Sequence, residues 1–329
     1  MAKPRVYVTR EIPIDGLDLI RANCEMEIWP EEKPVPRDIL MEKANGKAGL
    51  LTMLSDPIDA EVIEAAGPNL KVISNYAVGF DNIDLKTAST KGIFVGNTPD
   101  VLTETTADLA FSLLMAAARR LSEGVDYVRA GRWITWGPKL LRGLDIYGAT
   151  LGVIGMGRIG HATARRGIGF EMNILYYDPH LNNDVADIPK AQRATDLDTL
   201  LEQSDFITLH MPLTPDTHHL IDAEALKKMK RTAVIVNTAR GTIIDADALY
   251  EALSSGEIAY AALDVTDPEP LPAVHRLLKL PNCLVVPHIG SASMVTRAKM
   301  SVMAAENLLA GLRGEAPPHL VNPEALSGK

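Results

Sequence analysis

Three polar side chains, each following a short apolar run, are the first candidates for chemistry in this sequence. They are Arg240, Glu269 and His288. A guanidinium can grip a carboxylate through two parallel hydrogen bonds and polarise the adjacent carbonyl. An imidazole can donate a proton to a developing alkoxide, and a carboxylate behind it fixes its tautomer and favours its protonated form. Together the three groups suit hydride transfer to a 2-oxo acid.

Each of these residues also has an ordinary structural interpretation. Arg240 could form a surface salt bridge, Glu269 could be a turn carboxylate between prolines, and His288 could cap the last helix. The functional interpretation gains support because the preceding apolar runs predict buried strands. Open α/β sheets bind their ligands beyond the carboxyl ends of the strands, where all three residues would lie.

A glycine-rich turn predicts what supplies the hydride. Gly155, Gly157 and Gly160 follow an apolar strand with the G-x-G-x-x-G spacing, and a helix is predicted over residues 158–168. The first glycine allows the tight turn, the second lets a pyrophosphate approach the backbone, and the third lets helix and strand pack closely. A second strand ends at Asp178, where a carboxylate can hold a ribose hydroxyl. The pattern predicts a bound dinucleotide.

Asp178 also predicts which dinucleotide is preferred. Its carboxylate would repel the 2′-phosphate of NADP(H), and the following Pro179-His180-Leu181-Asn182-Asn183 contains no arginine or lysine to counter that repulsion. We therefore expect NAD(H) to be preferred over NADP(H).

The length of 329 residues favours two domains, and the order of elements suggests how they divide. Strands alternate with helices from the N-terminus to about residue 98, which predicts a parallel sheet covered by helices. A second such sheet follows an apolar helix whose core is residues 107–118. The last helix has a single apolar stripe from Val295 to Leu312 and no strand after it, so we expect it to pack on the first domain. The predicted division is 1–99 plus 289–329 and, inserted between them, 100–288.

Composition excludes several classes of function. The net charge of −9 argues against nucleic acid as a partner, and no segment predicts a membrane span or a signal peptide. Two cysteines suit a reducing, cytoplasmic location. His218 and His219 are adjacent and should diverge, so we expect no metal site there.

At this point the chain resembles a known family over essentially its whole length, the D-isomer-specific 2-hydroxyacid dehydrogenases, and within it most closely the glyoxylate/hydroxypyruvate reductases. The resemblance is carried by five segments: Asn75-Tyr76-Ala77-Val78-Gly79-Phe80-Asp81-Asn82-Ile83-Asp84, the turn from Gly155 to Gly160, Asn237-Thr238-Ala239-Arg240-Gly241, Asp264 through Pro270, and Pro287-His288-Ile289-Gly290-Ser291.

The resemblance implies a fold and a set of roles. It implies an α/β protein of two doubly wound parallel-sheet domains, a Rossmann-type nucleotide domain inserted in a flavodoxin-like substrate domain, with the active site between them. Arg240, Glu269 and His288 are the implied catalytic set. The implied substrate-binding residues are Leu54, Val78, Gly79, Arg240 and Trp136, and the implied cofactor-binding residues are Thr106, Gly155, Gly157, Arg158, Ile159, Gly160, Asp178, Ala239, Asp264 and Gly290.

The predicted reaction is reduction of glyoxylate or hydroxypyruvate to the D-2-hydroxy acid by a homodimer. The long apolar helix and a loop carrying Trp133 and Trp136 are the reasons for expecting a dimer. Two alternatives stay open. One is a dehydrogenase for a bulkier 2-oxo acid, and the other is a non-enzymatic, dinucleotide-sensing protein like the co-repressors that resemble this family.

Overall fold

The computed structural model of the chain describes residues 2–180 and 187–326. Leu181, Asn182 and Asn183, part of the segment used to predict the cofactor preference, lie outside the described residues. The chain forms two compact units. One comprises Met1–Leu102 with Ser291–Lys329, and the other comprises Thr103–Gly290.

The first unit is built on a parallel sheet with the strand order β2-β1-β3-β4-β5. Its strands are β1 (Arg5–Val8), β2 (Glu25–Ile28), β3 (Gly49–Thr52), β4 (Val72–Asn75) and β5 (Phe94–Gly96). Its helices are α1 (Ile14–Asn23), α2 (Arg37–Ala44), α3 (Ala60–Ala66), α4 (Leu85–Thr90) and α11 (Met294–Leu312). Strands β3 and β4 are buried along their whole length, as expected where helices cover both faces of a parallel sheet.

Helix α11 belongs to the first unit although it comes last in the chain. Ser293 caps its N-terminus by accepting from the Thr296 amide. The helix packs so closely on α1 that a Cβ built on Gly16 would lie 2.2 Å from the Ser301 carbonyl oxygen. The Ser74 hydroxyl donates to the Ala304 carbonyl at 2.8 Å, which ties the same helix to the sheet.

The second unit contains a seven-stranded parallel sheet in the order β12-β11-β10-β9-β6-β7-β8. Its strands are β6 (Thr150–Ile154), β7 (Asn173–Tyr177), β8 (Gln192–Arg193), β9 (Phe206–Leu209), β10 (Val234–Asn237), β11 (Tyr260–Leu263) and β12 (Cys283–Val285). Its helices are α5 (Thr103–Ala118), α6 (Leu121–Arg129), α7 (Arg158–Ile168), α8 (Leu197–Gln203), α9 (Ala223–Lys228) and α10 (Ala246–Ser255). Among the described residues, none of the helices combines the length and apolar character needed to cross a bilayer.

Helix α5 corrects one interpretation of the sequence. It is not apolar all round: Phe111 and Leu114 join the core of the second unit, while Glu104 and Asp108 are exposed. The Arg166 guanidinium pairs with both acids, at 2.8 and 2.5 Å. The apolar side of α5 thus faces its own sheet, and its other side carries these acids.

Candidate active site

The glycine turn joins β6 to α7 with the close contacts that its spacing predicts. Gly155 has φ 86°, in the left-handed region, and a Cβ on it would lie 2.7 Å from the Met211 amide nitrogen. A Cβ on Gly160 would lie 2.0 Å from the Gly155 carbonyl oxygen, so helix and strand need glycine there. By contrast, a Cβ on Gly157 would meet nothing within 4 Å. Arg158 and Ile159 begin α7, whose N-terminal amides and open approach at Gly157 suit a pyrophosphate.

Asp178 follows β7 and is held beside the glycine turn. Its Oδ2 accepts from the Met156 amide at 2.9 Å, and its Oδ1 accepts from the His180 amide at 2.9 Å. A carboxylate fixed next to the turn fits the hydroxyls of an adenosine ribose. The five residues after Asp178 contain no arginine or lysine, but an arginine from a later segment reaches this residue: the Arg193 guanidinium donates to the Asp178 main-chain carbonyl at 2.7 Å.

Three of the predicted cofactor residues meet although they are far apart in sequence. A Cβ on Gly290 would lie 3.1 Å from Asp264 Oδ2 and 3.3 Å from Thr106 Cγ2. Both Asp264 and Thr106 are buried. Burial raises the pKa of the Asp264 carboxyl group, partly countered by the Ile289 amide, the His288 charge and the Gly290 amide.

Arg240 lies in a turn built by Asn237, the last residue of β10. The Asn237 Nδ2 donates to the Arg240 carbonyl at 2.8 Å, and its Oδ1 accepts from the Ala239 amide at 3.0 Å. Gly241 is required next in the chain, since a Cβ there would lie 2.0 Å from the Thr266 carbonyl oxygen. The fully buried amide of Asn237 therefore fixes the backbone from which the arginine projects.

His288 and Glu269 form a direct pair. The imidazole Nδ1 lies 2.6 Å from Glu269 Oε1, with side-chain exposures of 28% and 35%. His288 has φ 50°, a left-handed conformation that is uncommon for residues other than glycine. Such a conformation is found where the surroundings enforce it, frequently at functional sites.

The charges of His288 and Arg240 both act on Glu269. Burial alone would raise the pKa of Glu269, but the hydrogen bond and charge of His288, the Thr266 amide and the charge of Arg240 together lower it. Glu269 is therefore a carboxylate throughout the neutral range. The carboxylate accepts from Nδ1–H, so Nε2 is the ring nitrogen that can exchange a proton with a substrate.

The predicted substrate residues of the first unit lie in loops after its strands. The Val78 carbonyl accepts from Asn97 Nδ2 at 2.7 Å, and the Gly79 carbonyl accepts from Asn75 Nδ2 at 2.9 Å. These two contacts fix the peptide planes of the Val78–Gly79 loop. Leu54 is 39% exposed, so its side chain is accessible to a ligand.

Other residues that the sequence singled out lie elsewhere. Trp136 is 78% exposed and lies in the irregular segment after α6. His218 and His219 do not diverge as expected. His219 has a left-handed φ of 51°, and its ring stacks on that of His218 with the centroids 4.0 Å apart. Within residues 2–180 and 187–326 there is no group of three or more His, Cys, Asp or Glu residues suited to a metal ion.

Two residues near the glycine turn were not found from the sequence. His210 follows β9, and its Nε2 lies 2.9 Å from the Thr208 hydroxyl. Burial lowers the pKa of His210 to about 3. Arg193 is the second such residue, and its approach to Asp178 depends on the pairing of β8 with β7. Neither belongs to a spacing motif, so only the fold brings them to the site.

Comparison with known proteins identifies the family to which the chain belongs. The model of the family described as D-isomer specific 2-hydroxyacid dehydrogenase, NAD binding domain, matches residues 111–290. The chain belongs to the D-isomer-specific 2-hydroxyacid dehydrogenase family, as the sequence predicted, and is therefore an NAD(P)-dependent oxidoreductase.

Individual relatives show which members of this family are similar to the chain. A glyoxylate reductase from Korarchaeum cryptofilum is 53% identical over 98% of this chain and 97% of its own length. The crystal structure of a protein from Thermus thermophilus has a TM-score of 0.90 at 47% identity, covering 96% of this chain and 99% of that one. An NADPH-dependent glyoxylate/hydroxypyruvate reductase from Sinorhizobium meliloti, solved with NADP and malonate, has a TM-score of 0.84 at 32% identity and 98% coverage of both chains.

Proposed function

We propose that this protein reduces glyoxylate or hydroxypyruvate to the corresponding D-2-hydroxy acid. The observation that carries the proposal is the 2.6 Å contact between His288 Nδ1 and Glu269 Oε1, with Arg240 acting on the same carboxylate. A proton donor, its anionic partner and a fixed guanidinium are what reduction of a 2-oxo acid requires. The relatives named glyoxylate reductase, at 45–53% identity over nearly the full chain, support this substrate class.

Each of the three residues has a distinct proposed role. The nicotinamide cofactor, when bound, supplies the hydride that adds to the substrate carbonyl. His288 donates a proton to the oxygen that becomes the alkoxide, which avoids a free charge in the site. Glu269 accepts from Nδ1–H, which orients the ring so that Nε2, the nitrogen that carries the donated proton in the imidazolium, faces the substrate. Arg240 binds the substrate carboxylate and polarises the neighbouring carbonyl.

We propose that the Val78 and Gly79 amides also bind the substrate carboxylate. The Ala77 carbonyl accepts from the Thr98 amide at 2.8 Å and the Val78 carbonyl accepts from Asn97 Nδ2 at 2.7 Å, so the two peptide planes that carry the Val78 and Gly79 amides are held in one orientation. Preorganised donors of this kind bind an anion without an ordering cost at the moment of binding. Leu54 is a proposed apolar contact of the substrate, and Trp136 is proposed to reach the substrate pocket of a neighbouring subunit.

We further propose that NADH is preferred over NADPH. Support comes from the Asp178 carboxylate, which is fixed by the Met156 and His180 amides and cannot turn away from a 2′-phosphate. The residues proposed to hold the cofactor are Thr106, Gly155, Gly157, Arg158, Ile159, Gly160, Asp178, Ala239, Asp264 and Gly290. The Thr238 hydroxyl, buried and without a partner among the described residues, fits a ligand at the same strand end.

We also propose that the protein is a homodimer and that it is located in the cytoplasm. Helix α6 has no buried residue, and its exposed Leu121, Val125 and Val128 share one face at helical spacing. Trp133, Ile134 and Trp136 extend the exposed apolar surface beyond that helix. A second copy of the chain is the proposed occupant, since large contiguous apolar patches are rare on monomers. Sedimentation should give a dimer for wild type and a monomer for Val125→Glu. Val274→Glu, at an exposed valine elsewhere, should remain a dimer.

One experiment tests the reaction itself. Glyoxylate, hydroxypyruvate, pyruvate and phenylpyruvate are each assayed with NADH and with NADPH, using wild type and His288→Ala. The proposal expects the highest kcat/KM for glyoxylate or hydroxypyruvate with NADH. A higher value for phenylpyruvate would instead indicate a dehydrogenase for bulkier acids. NADH binding without turnover of any substrate would indicate a dinucleotide-sensing protein.

A further inference from the structure

We propose that Arg193 is a second residue for cofactor specificity. It would bind the 2′-phosphate of NADP(H) and so offset the repulsion by Asp178, allowing NADP(H) as a secondary cofactor. This inference rests on the proposed binding of the dinucleotide at the glycine turn, and it concerns residues that no motif connects.

The position of Arg193 follows from the pairing of the edge strand. Strand β8 is the outermost strand of the second sheet, beyond β7, and Arg193 is opposite Tyr176 in the parallel register. The Ala194 amide donates to the Tyr176 carbonyl at 2.8 Å, which fixes that register at the carboxyl end of β7. Asp178 comes directly after β7, so Arg193 stands beside the proposed adenosine ribose site, on the side away from β6.

One contact defines where the guanidinium lies. Arg193 Nη2 donates to the Asp178 main-chain carbonyl at 2.7 Å. A guanidinium has five N–H donors in a planar fork, so this contact leaves donors for an anion. Arg193 is exposed, and a ligand can therefore reach it. Arginine binds phosphate through two parallel hydrogen bonds, so the interaction is directional as well as electrostatic.

The fixed geometry of Asp178 is the reason that a nearby cation matters. Because both carboxylate oxygens accept main-chain amides, moving the side chain away from a 2′-phosphate would break two hydrogen bonds. The repulsion must be compensated by a positive group nearby or the phosphate is excluded. Arg193 is such a positive group within the described part of the chain. Its contact with the Asp178 main-chain carbonyl places it next to the residue that is proposed to bind the ribose.

An alternative role for Arg193 is purely structural: its side chain could fasten β8 to the segment after β7. The two roles differ in what they predict for two probes, 5′-ADP and 2′,5′-ADP, which share the adenosine and differ in the 2′-phosphate. A structural fastening affects both probes equally. A phosphate-binding arginine affects only the second.

The test measures binding of both probes to the full chain by isothermal titration calorimetry, without turnover. Arg193→Gln should lower the affinity ratio of 2′,5′-ADP to 5′-ADP about tenfold, the size expected for a charge-assisted hydrogen bond. The same loss should occur in the Asp178→Ser background, where the ratio starts higher. Arg193→Lys, which keeps the charge but not the fork, should lose less of the ratio than Arg193→Gln.

Arg231→Gln is the matched control, because Arg231 is exposed and precedes β10 at the opposite, amino end of the same sheet. It should leave the ratio at the wild-type value. An unchanged ratio in Arg193→Gln, or an equal loss of both probes, would overturn the proposal and leave Arg193 a structural residue. Either result would leave the NADH preference and the proposed reduction untouched, since those are measured by turnover.

Discussion

Asp264 holds the His288 segment through three main-chain amides. Its carbonyl accepts from the His288 amide at 2.9 Å, its Oδ1 from Ile289 at 2.6 Å and its Oδ2 from Gly290 at 2.9 Å. The left-handed conformation of His288 lies inside this set of contacts. The carboxylate at the end of β11 therefore determines how the imidazole is presented, in addition to its proposed contact with the cofactor.

Asp264→Asn tests that relationship. An amide has one oxygen, so one of the two main-chain donors would face an NH2 group in a buried site. We expect the free energy of unfolding to fall by about 1–3 kcal/mol and kcat/KM to fall with it. Urea unfolding and steady-state kinetics measure the two effects. Asp267→Asn, at an exposed position of the same loop, is the control, and a variant equal to wild type in both measurements would remove the proposed role.

Arg240→Lys tests the proposed grip on the substrate. A lysine ammonium lacks the planar fork, so it cannot contact the carboxylate and the reacting carbonyl together. We expect KM to rise and kcat to fall, because the carbonyl contact strengthens in the transition state. NADH binding, followed by fluorescence, should hardly change, and Arg231→Lys should behave as wild type. If both kinetic constants survive, Arg240 is a structural arginine.

His210 makes a prediction about stability and pH. Its pKa is lowered to about 3 from the ordinary value of 6.5, so the folded protein excludes a proton that the unfolded chain binds. The stability that this histidine contributes is complete above pH 6.5 and is lost as the pH falls towards 3. The loss should amount to about 1.4 kcal/mol per pH unit in that range. Comparing His210→Asn with wild type isolates the contribution of His210 to the pH dependence of stability.

As the pH falls from 6.5, the free energy of unfolding should decrease less steeply for His210→Asn than for wild type. The two slopes should differ by about 1.4 kcal/mol per pH unit. His180→Asn is the control, because His180 is exposed and its described contact is made by the main chain. Parallel stability curves for wild type and His210→Asn between about pH 6.5 and 4 would mean that the histidine is charged in the folded protein.

The sequence predicted those parts of the fold that depend on local pattern. The glycine spacing, the strand before it and the acid after β7 are where they were expected. Strands β2 and β8 were not predicted, because edge strands need no apolar run: Gln192 and Arg193 are both exposed. Helix α6 was missed for a similar reason, since its apolar residues are not buried by the unit that carries it.

Contacts between distant segments could not be read from the sequence at all. The short distance between Glu269 and His288 depends on β11 and β12 being neighbours in the sheet, which a single sequence does not encode as a pattern. The approach of Arg193 to Asp178 depends in the same way on β8 pairing with β7. Residue type and strand-end position identified the candidates, and the order of the strands decided which of them meet.

The pair of His288 and Glu269 makes the prediction on which the proposed function depends. Hydride addition creates an alkoxide that needs a proton, and the imidazole is the proposed donor, so reduction requires its protonated form. Because the pKa of Glu269 is lowered by the hydrogen bond and charge of His288 against the effect of burial, the carboxyl stays ionised in the assay range. The rate of reduction should therefore fall with rising pH, because the imidazolium is the proposed donor and Glu269 stays ionised. Oxidation of the hydroxy acid needs neutral imidazole and should show the opposite dependence.

Removing the negative charge separates the two roles. Glu269→Gln should shift both profiles to lower pH, since a neutral amide no longer favours the imidazolium. His288→Ala should lower the rate on the order of 10²–10⁴-fold with NADH binding retained, because a positioned general acid contributes about that much. The measurement is the pH profile of kcat/KM for glyoxylate in wild type and Glu269→Gln. Superimposable profiles would remove Glu269 from the mechanism, and an active His288→Ala enzyme would show that the proton comes from elsewhere.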